Sequence, residues 1–288
     1  MDEQTPNPSA QAHSVNPLGI FDSGVGGLSI FHQIRLLLPS ENILYIADQA
    51  HVPYGIRTRE EIRLYSDAIL RFFLANKVKL TVIACNTASA AALHFLREKY
   101  PDHTFVGMEP AVKPAAQSTH TQRVGVLATQ ATFQSELYAS VLERFAKDVK
   151  VFENTCPGLV SQIEKGALNT PDTRRILEAA IHPMLEQGVD TIVLGCTHYP
   201  FVIPLIREIA GVDVDVVDPA PAIARQTKRL LEEKYLLNLE TKEGQVSLFS
   251  TGAPENMRRL LPTLIGEEIA VKLLKWQSDN HGPLHLLR

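Results

Sequence analysis

Residues 190 to 200 read D-T-I-V-L-G-C-T-H-Y-P. A strand with one wet face alternates apolar and polar residues, whereas an unbroken apolar run such as this one belongs to a central strand covered on both faces. The run stops on Cys196, and Thr197, His198 and Pro200 follow where a strand yields to a helix. Comparable runs are NILYIAD (42 to 48), KLTVIAC (79 to 85), HTFVGM (103 to 108), RVGVLAT (123 to 129), DVKVFEN (148 to 154) and VDVDVVD (212 to 218).

Segments with helical spacing lie between them. Thr58 and Glu61 form a capping-box pattern ahead of Ile62, Tyr65, Ile69 and Phe72. Thr170-Pro171 opens a second helix that closes at Gly188, with a kink or break expected at His182-Pro183. A third amphipathic helix is expected from Ile223 to Tyr235. Strand-helix-strand alternation along the chain predicts an α/β protein of two similar lobes, each a mostly parallel sheet flanked by helices, with a cleft between them. The polar, acidic, proline-bearing residues 1–16 read as a disordered leader. E-P-A-V-K-P (109 to 114) and D-P-A-P (218 to 221) read as hinges, so residues 17–110 with 221–288 form the first lobe and 111–220 the second.

With 288 residues, the chain can bury a large core. Its net charge is -4, from 28 basic and 32 acidic residues with neither sign in runs, which argues against nucleic acid or an anionic membrane as partner and for a small molecule. No apolar stretch approaches the ~20 residues of a membrane helix. Three cysteines without a C-x-x-C disfavour a disulfide scaffold and fit a reducing cytoplasm.

Two of those cysteines stand in matching contexts. A-C-N-T-A-S-A (84 to 90) and G-C-T-H-Y-P (195 to 200) each follow an apolar strand and place a thiol at its carboxyl end, the edge where open parallel sheets bind ligands. A helix start there favours the thiolate. Cys85 and Cys196 would face each other across the cleft as the opposed acid and base of a proton transfer at carbon; Cys156 lacks that context. G-I-F-D-S-G-V-G-G-L-S (19 to 29) is a strand-to-helix turn whose glycines would free backbone N–H groups for an anion, with Asp22 placed to orient an ammonium or assist a thiol. His198 reads as a metal ligand, a hydrogen-bond partner or a surface histidine, and C-x-H alone offers too few ligands for zinc. V-P-Y-G (52 to 55) is a turn whose amides are candidates for a carboxylate, and Glu164 by default is a solvated charge near a helix end.

D-S-G-V-G-G-L, P-Y-G, A-C-N-T-A-S-A and L-G-C-T-H-Y-P, in this order, resemble the glutamate racemases from about Gly19 to beyond Asp218. The resemblance implies a cofactor-independent, cytoplasmic enzyme that interconverts L- and D-glutamate for peptidoglycan, works as a homodimer and holds no metal. It implies Cys85 as the acid or base on the D-glutamate side and Cys196 on the L-glutamate side, with Asp22 assisting the first and His198 the second, and Glu164 near that second pair. Substrate contacts are implied for Asp22, Ser23, Tyr54, Gly55, Asn86, Thr87, Thr197 and His198. Ala128 departs from a glycine common among relatives. Relatives acting on aspartate carry Glu where this chain has His198, which favours glutamate; an aspartate or hydantoin racemase and a non-catalytic two-lobed amino-acid-binding protein are the alternatives.

Overall fold

The computed structural model describes residues 14–277 and 284–286. Its strands are β1 (Leu18–Asp22), β2 (Ile43–Ala47), β3 (Leu80–Ile83), β4 (Phe105–Val106), β5 (Arg123–Ala128), β6 (Lys150–Asn154), β7 (Thr191–Gly195), β8 (Asp215–Val217), β9 (Val246–Ser250), β10 (Val271–Trp276) and β11 (Leu284–Leu286). They make a seven-stranded sheet of order β11-β10-β9-β2-β1-β3-β4 and a four-stranded sheet of order β6-β5-β7-β8. Every pairing is parallel except β10 with β11.

The unbroken apolar runs are explained by what covers the strands. In β1, Leu18 and Ile20 pack with Leu28, Phe31 and Ile34 of α1 (Leu28–Leu37) on one face. Phe21 packs with Ile69 and Phe73 of α2 (Arg59–Ala75) on the other. In the second sheet, Leu127, Ile192 and Leu194 face one apolar cluster, and Val124, Val126 and Val193 the opposite one.

Local signals behave as the physics of helix ends requires. Thr58 and Glu61 form both halves of the capping box that starts α2. The helix α3 (Asn86–Lys99) starts directly after Cys85, which is its N-cap. The second lobe contributes α4 (Val112–Ser118), α5 (Gln130–Phe133), α6 (Glu136–Phe145), α7 (Leu159–Glu164), α8 (Pro171–Glu186) and α9 (Ile203–Ala210). Pro183 lies inside α8 without ending it, and Gly188 beyond its end has φ +73°. Next, α10 begins at Ala220, three residues earlier than expected, because Pro221 fits a first turn that lacks an acceptor for its absent N–H; it ends at Glu233. Last is α11 (Pro254–Ile265).

Strands β9 to β11 escaped the hydrophobic pattern. V-S-L-F-S is short and half polar, and only its last three residues are buried. Residues 1–13 of the expected leader lie outside the described residues, while 14–16 are tied to the first sheet rather than disordered. The Ser14 carbonyl accepts from Lys79 Nζ, and the Val15 carbonyl accepts from Asn42 Nδ2 at 2.7 Å.

Beneath that edge, Lys79 Nζ lies 2.5 Å from Glu41 Oε2, with both side chains almost wholly buried. The Asn238 N–H donates to Glu41 Oε1 at 2.8 Å, so this ion pair joins the start of β3 to the C-terminal part of the chain. Glu41→Gln leaves a buried ammonium without its counter-charge and is expected to cost about 3–5 kcal/mol. Urea unfolding measures this, and an unchanged midpoint would refute the assignment.

Candidate active site

The carboxyl ends of β1, β3, β5 and β7 meet at a cavity lined by residues from both sheets, among them Ser23, Tyr54, Gly55, Cys85, Asn86, Thr87, Thr129, Cys196, Thr197 and His198. Its volume is only about 20 Å³, little more than a single water occupies. Nine of the eleven expected site residues therefore converge in a closed arrangement, whereas Asp22 and Glu164 do not line the cavity and reach it through Thr197 and His198. Larger hollows lie elsewhere, such as one of about 540 Å³ beside Pro110 and Pro219 where the chain crosses between lobes, but neither thiol lines it.

On the first lobe, Cys85 is 5% exposed and its Sγ accepts from the Ala88 N–H at 3.4 Å. The thiol also points at Ser23 Oγ, 3.9 Å away. The helix start was expected to favour the thiolate. Burial instead pushes the Cys85 thiol well above its ordinary range, the neighbouring Asp22 charge adds to this, and the Ala88 and Ser23 contacts do not offset it.

On the second lobe, Cys196 Sγ is 3.8 Å from His198 Nδ1, and His198 Nε2 is 2.6 Å from Glu164 Oε1. Burial alone would pull the imidazole down, yet its bonds to Cys196 and Glu164 and the charge of that carboxylate raise it well above 6.5. Burial likewise disfavours the Glu164 carboxylate, but His198, the Val25 N–H and Gln49 Nε2 outweigh it and hold it below 4.5. Glu164 is thus no solvated charge. It ends a hydrogen-bonded chain that runs from Cys196 Sγ through His198, which is thus a hydrogen-bond partner.

The glycine turn does something other than bind an external anion. Gly24 N and Gly27 N donate to Asp22 Oδ2 at 3.1 and 2.9 Å, and Val25 N donates to Glu164 Oε1 at 2.8 Å. Its N–H groups are engaged by the protein's own carboxylates. The glycines are needed for closeness: a Cβ on Gly24 would lie 2.0 Å from Glu164 Oε1, and one on Gly26 would lie 2.4 Å from His198 Nδ1. Thr197 Oγ1 donates to Asp22 Oδ1 at 3.4 Å, and Ser29 Oγ donates to the Thr197 carbonyl at 3.0 Å, which completes the seam. Asp22 is fully buried and its pKa is raised by that burial, although His198 and the two glycine N–H groups oppose the rise.

Asn86 is 3% exposed, and neither its Oδ1 nor its Nδ2 has a hydrogen-bond partner. Buried amides left unpaired are rare, so this one marks a place for a polar ligand. Tyr54 lines the cavity with its ring while its hydroxyl donates to Asp48 Oδ2 at 2.7 Å. Cys156 lies in the second lobe's core, where burial lifts its thiol to about 12.

Three residues at or beside the site were not anticipated. Thr129 bonds Thr87 across the cavity at 3.0 Å, and its place at the end of β5 was a signal of the same kind that exposed Cys196. Val160 lines the wall and Gln49 donates to Glu164 at 3.1 Å, and neither carries any pattern in the sequence.

Residues 28–227 match the Asp/Glu/hydantoin racemase family. A glutamate racemase of Pseudomonas paraeruginosa is 50% identical over 258 residues, which cover 88% of this chain and 96% of that one. The crystal structure of a glutamate racemase isoform from Bacillus anthracis superposes with a TM-score of 0.82 at 30% identity, covering 91% of this chain and 98% of that one. The Escherichia coli glutamate racemase, solved with L-glutamate and the activator UDP-MurNAc-ala, does so with a TM-score of 0.78 at 32% identity, covering 89% and 97%.

Two measurements probe the seam. Gly26→Ala drives a methyl group into His198 and is expected to lower turnover by about 10²-fold, the effect of misplacing a reacting group by ~1 Å, with far-UV circular dichroism unchanged. Near-normal turnover would contradict the close approach. The second concerns pH. Glu164, held below 4.5, contributes stability above that pH and loses it as pH falls through its folded value; His198, held above 6.5, contributes below 6.5 and loses it as pH rises through its folded value. The stability lost in Glu164→Gln should therefore be greatest between 4.5 and 6.5 and shrink on both sides. Urea midpoints across pH check this, and a deficit independent of pH would exclude the ion pair.

Proposed function

The chain belongs to the Asp/Glu/hydantoin racemase family and is an amino-acid racemase, and we propose that it interconverts L- and D-glutamate by removing the α-proton with one of Cys196 and Cys85 while the other delivers its own proton to the opposite face. One observation carries this reading: two buried thiols, each at the carboxyl end of a strand in its own sheet, line one cavity. A single thiol could exchange the α-proton on one face. Inversion needs a base on one face and an acid on the other.

Starting from L-glutamate, the Cys196 thiolate takes the α-hydrogen as a proton and leaves an electron pair on carbon. The Cys85 thiol then gives its proton to the opposite face and becomes the thiolate, so that the reverse reaction begins from that state. Burial keeps the resting Cys85 protonated, which readies the enzyme for the L-to-D direction. His198, charged and anchored by Glu164, directs Nδ1 at Cys196 Sγ from 3.8 Å.

The α-hydrogen is a very weak acid, so the carbanion must be held by fixed charges and dipoles. Asn86 and Thr87 open α3, and their N–H groups have no intrahelical acceptor, which makes them candidates for the substrate carboxylate with Ser23, Gly55 and Thr197. The unpaired Asn86 amide and the Asp22 carboxylate are the candidates for the ammonium. A cavity of about 20 Å³ does not admit glutamate, so the lobes must part for binding and close for chemistry. The reaction on this reading needs no cofactor and no metal. The enzyme would act in the cytoplasm as a homodimer, with no nucleic-acid partner, and supply D-glutamate for peptidoglycan. Among the described residues no helix is long and apolar enough to cross a membrane.

Purified protein in deuterated water should incorporate deuterium at the α-carbon of either glutamate enantiomer and bring its circular dichroism to zero without additions. Cys85→Ala and Cys196→Ala should each lower racemisation by 10²-fold or more. Full racemisation by either variant would overturn the two-thiol mechanism. A faster reaction with L-aspartate than with L-glutamate would overturn the substrate.

A further inference from the structure

Behind the substrate-facing turn lies a second buried cluster that the reaction does not use directly. Asp48 is fully buried just past the end of β2. Its Oδ2 accepts from the Tyr54 hydroxyl at 2.7 Å. Its Oδ1 accepts from Thr251 Oγ1 at 2.7 Å and from Trp276 Nε1 at 3.0 Å. His51 Nδ1 lies 2.8 Å from Oδ2, and its ring stacks on Tyr65 at 3.9 Å and meets Trp276 edge-on at 5.1 Å. Thr251 Oγ1 also accepts from the Ala50 N–H at 3.0 Å.

This carboxylate therefore joins two parts of the chain. Tyr54 belongs to the turn that lines the cavity beside Cys85, whereas Thr251 follows β9 and Trp276 ends β10, 203 and 228 residues from Asp48 in the chain. Tyr54–Ile56 is a single turn of 3₁₀ helix without a side-chain cap; the buried Tyr54 ring packs against Tyr65, and its hydroxyl supplies the hydrogen bond that ties the turn to Asp48.

We propose that Asp48 is a positioning residue, which locks the Tyr54-Gly55 substrate turn to the C-terminal strands through Thr251 and Trp276. The inference rests on the racemase reading for the ligand, glutamate. Asp48 touches neither thiol, so it acts on how well substrate is held, in ground state and transition state alike. Such groups move KM and leave kcat nearly unchanged. Trp276 is the sole tryptophan of the chain, so its fluorescence reports on this cluster alone.

The test compares the full chain with Asp48→Asn, Thr251→Val and Trp276→Phe. Each should raise KM for L-glutamate about tenfold, with kcat within about threefold, and the double variant Tyr54→Phe/Asp48→Asn should be no worse than the poorer of its single variants. In the parent, saturating glutamate should change Trp276 emission, and Asp48→Asn should abolish that change at equal occupancy. Thr251→Val keeps the shape of the side chain and stands in should Asp48→Asn fail to fold. A KM within twofold of the parent in Thr251→Val and Trp276→Phe, or an equal fall in kcat, would overturn the positioning role. Absence of racemisation by the parent would instead overturn the racemase reading, and the emission change would then decide the inference alone: present in the parent and lost in the variant upholds it, absent in both refutes it.

Discussion

One carboxylate oxygen carries much of the architecture. Glu164 Oε1, from the second lobe, accepts from Val25 N in the first lobe at 2.8 Å and meets His198 Nε2 in its own lobe at 2.6 Å. The Val25 contact is one of several bonds across the seam, with those of Gln49, Ser29 and Asp22, and the His198 contact raises the imidazole beside Cys196. A displaced lobe would break the Val25 and Gln49 bonds, two of the contacts that offset the burial of the Glu164 carboxylate and hold its pKa low. The geometry of closure and the protonation of Glu164 are therefore not independent.

The glycine turn makes that contact sterically feasible. Gly24 and Gly26 have no positive φ to demand glycine, yet a methyl group on either would collide with Glu164 or His198. The same turn wraps its Gly24 and Gly27 N–H groups around Asp22, which satisfies a carboxylate that burial would otherwise make costly. Two negative side chains thus meet at one short loop, and its backbone dipoles keep them compatible.

How much of this was legible in the chain follows from how local each cause is. D-T-I-V-L-G-C-T-H-Y-P displayed a strand covered on both faces, and the sheet bears that out, because hydrophobic burial leaves a periodic trace. The pairing of Cys85 with Cys196 was visible through the echo of two strand ends. By contrast, Glu164 looked like a surface charge since its partners, Val25 and His198, are 139 and 34 residues away. The glycines were read as conformational or anion-binding, because sequence shows that a side chain is absent but not what would collide with it. Gln49 and Val160 acquire meaning only from the opposite lobe. Strands β9 and β10 were missed although each is paired on both sides, because polar residues interrupt their apolar runs and part of each stays unburied.

On the proposed two-thiol mechanism, burial links the ionisation of Cys85 to closure of the lobes on a ligand. In the closed arrangement Cys85 is kept protonated first by the loss of water and then by the charge of Asp22. Parting the lobes would hydrate the cavity and let this thiol return toward its ordinary value. A bound amino acid changes the balance differently, as its ammonium introduces a positive charge into the same dry volume and offsets Asp22. On the proposed mechanism, the state in which Cys85 acts as base on D-glutamate then exists mainly with substrate present, and a Cys85 thiolate without substrate is disfavoured. On that reading closure, substrate charge and Cys85 ionisation form one linked equilibrium, in which the dry cavity keeps Cys85 a thiol when there is nothing to deprotonate.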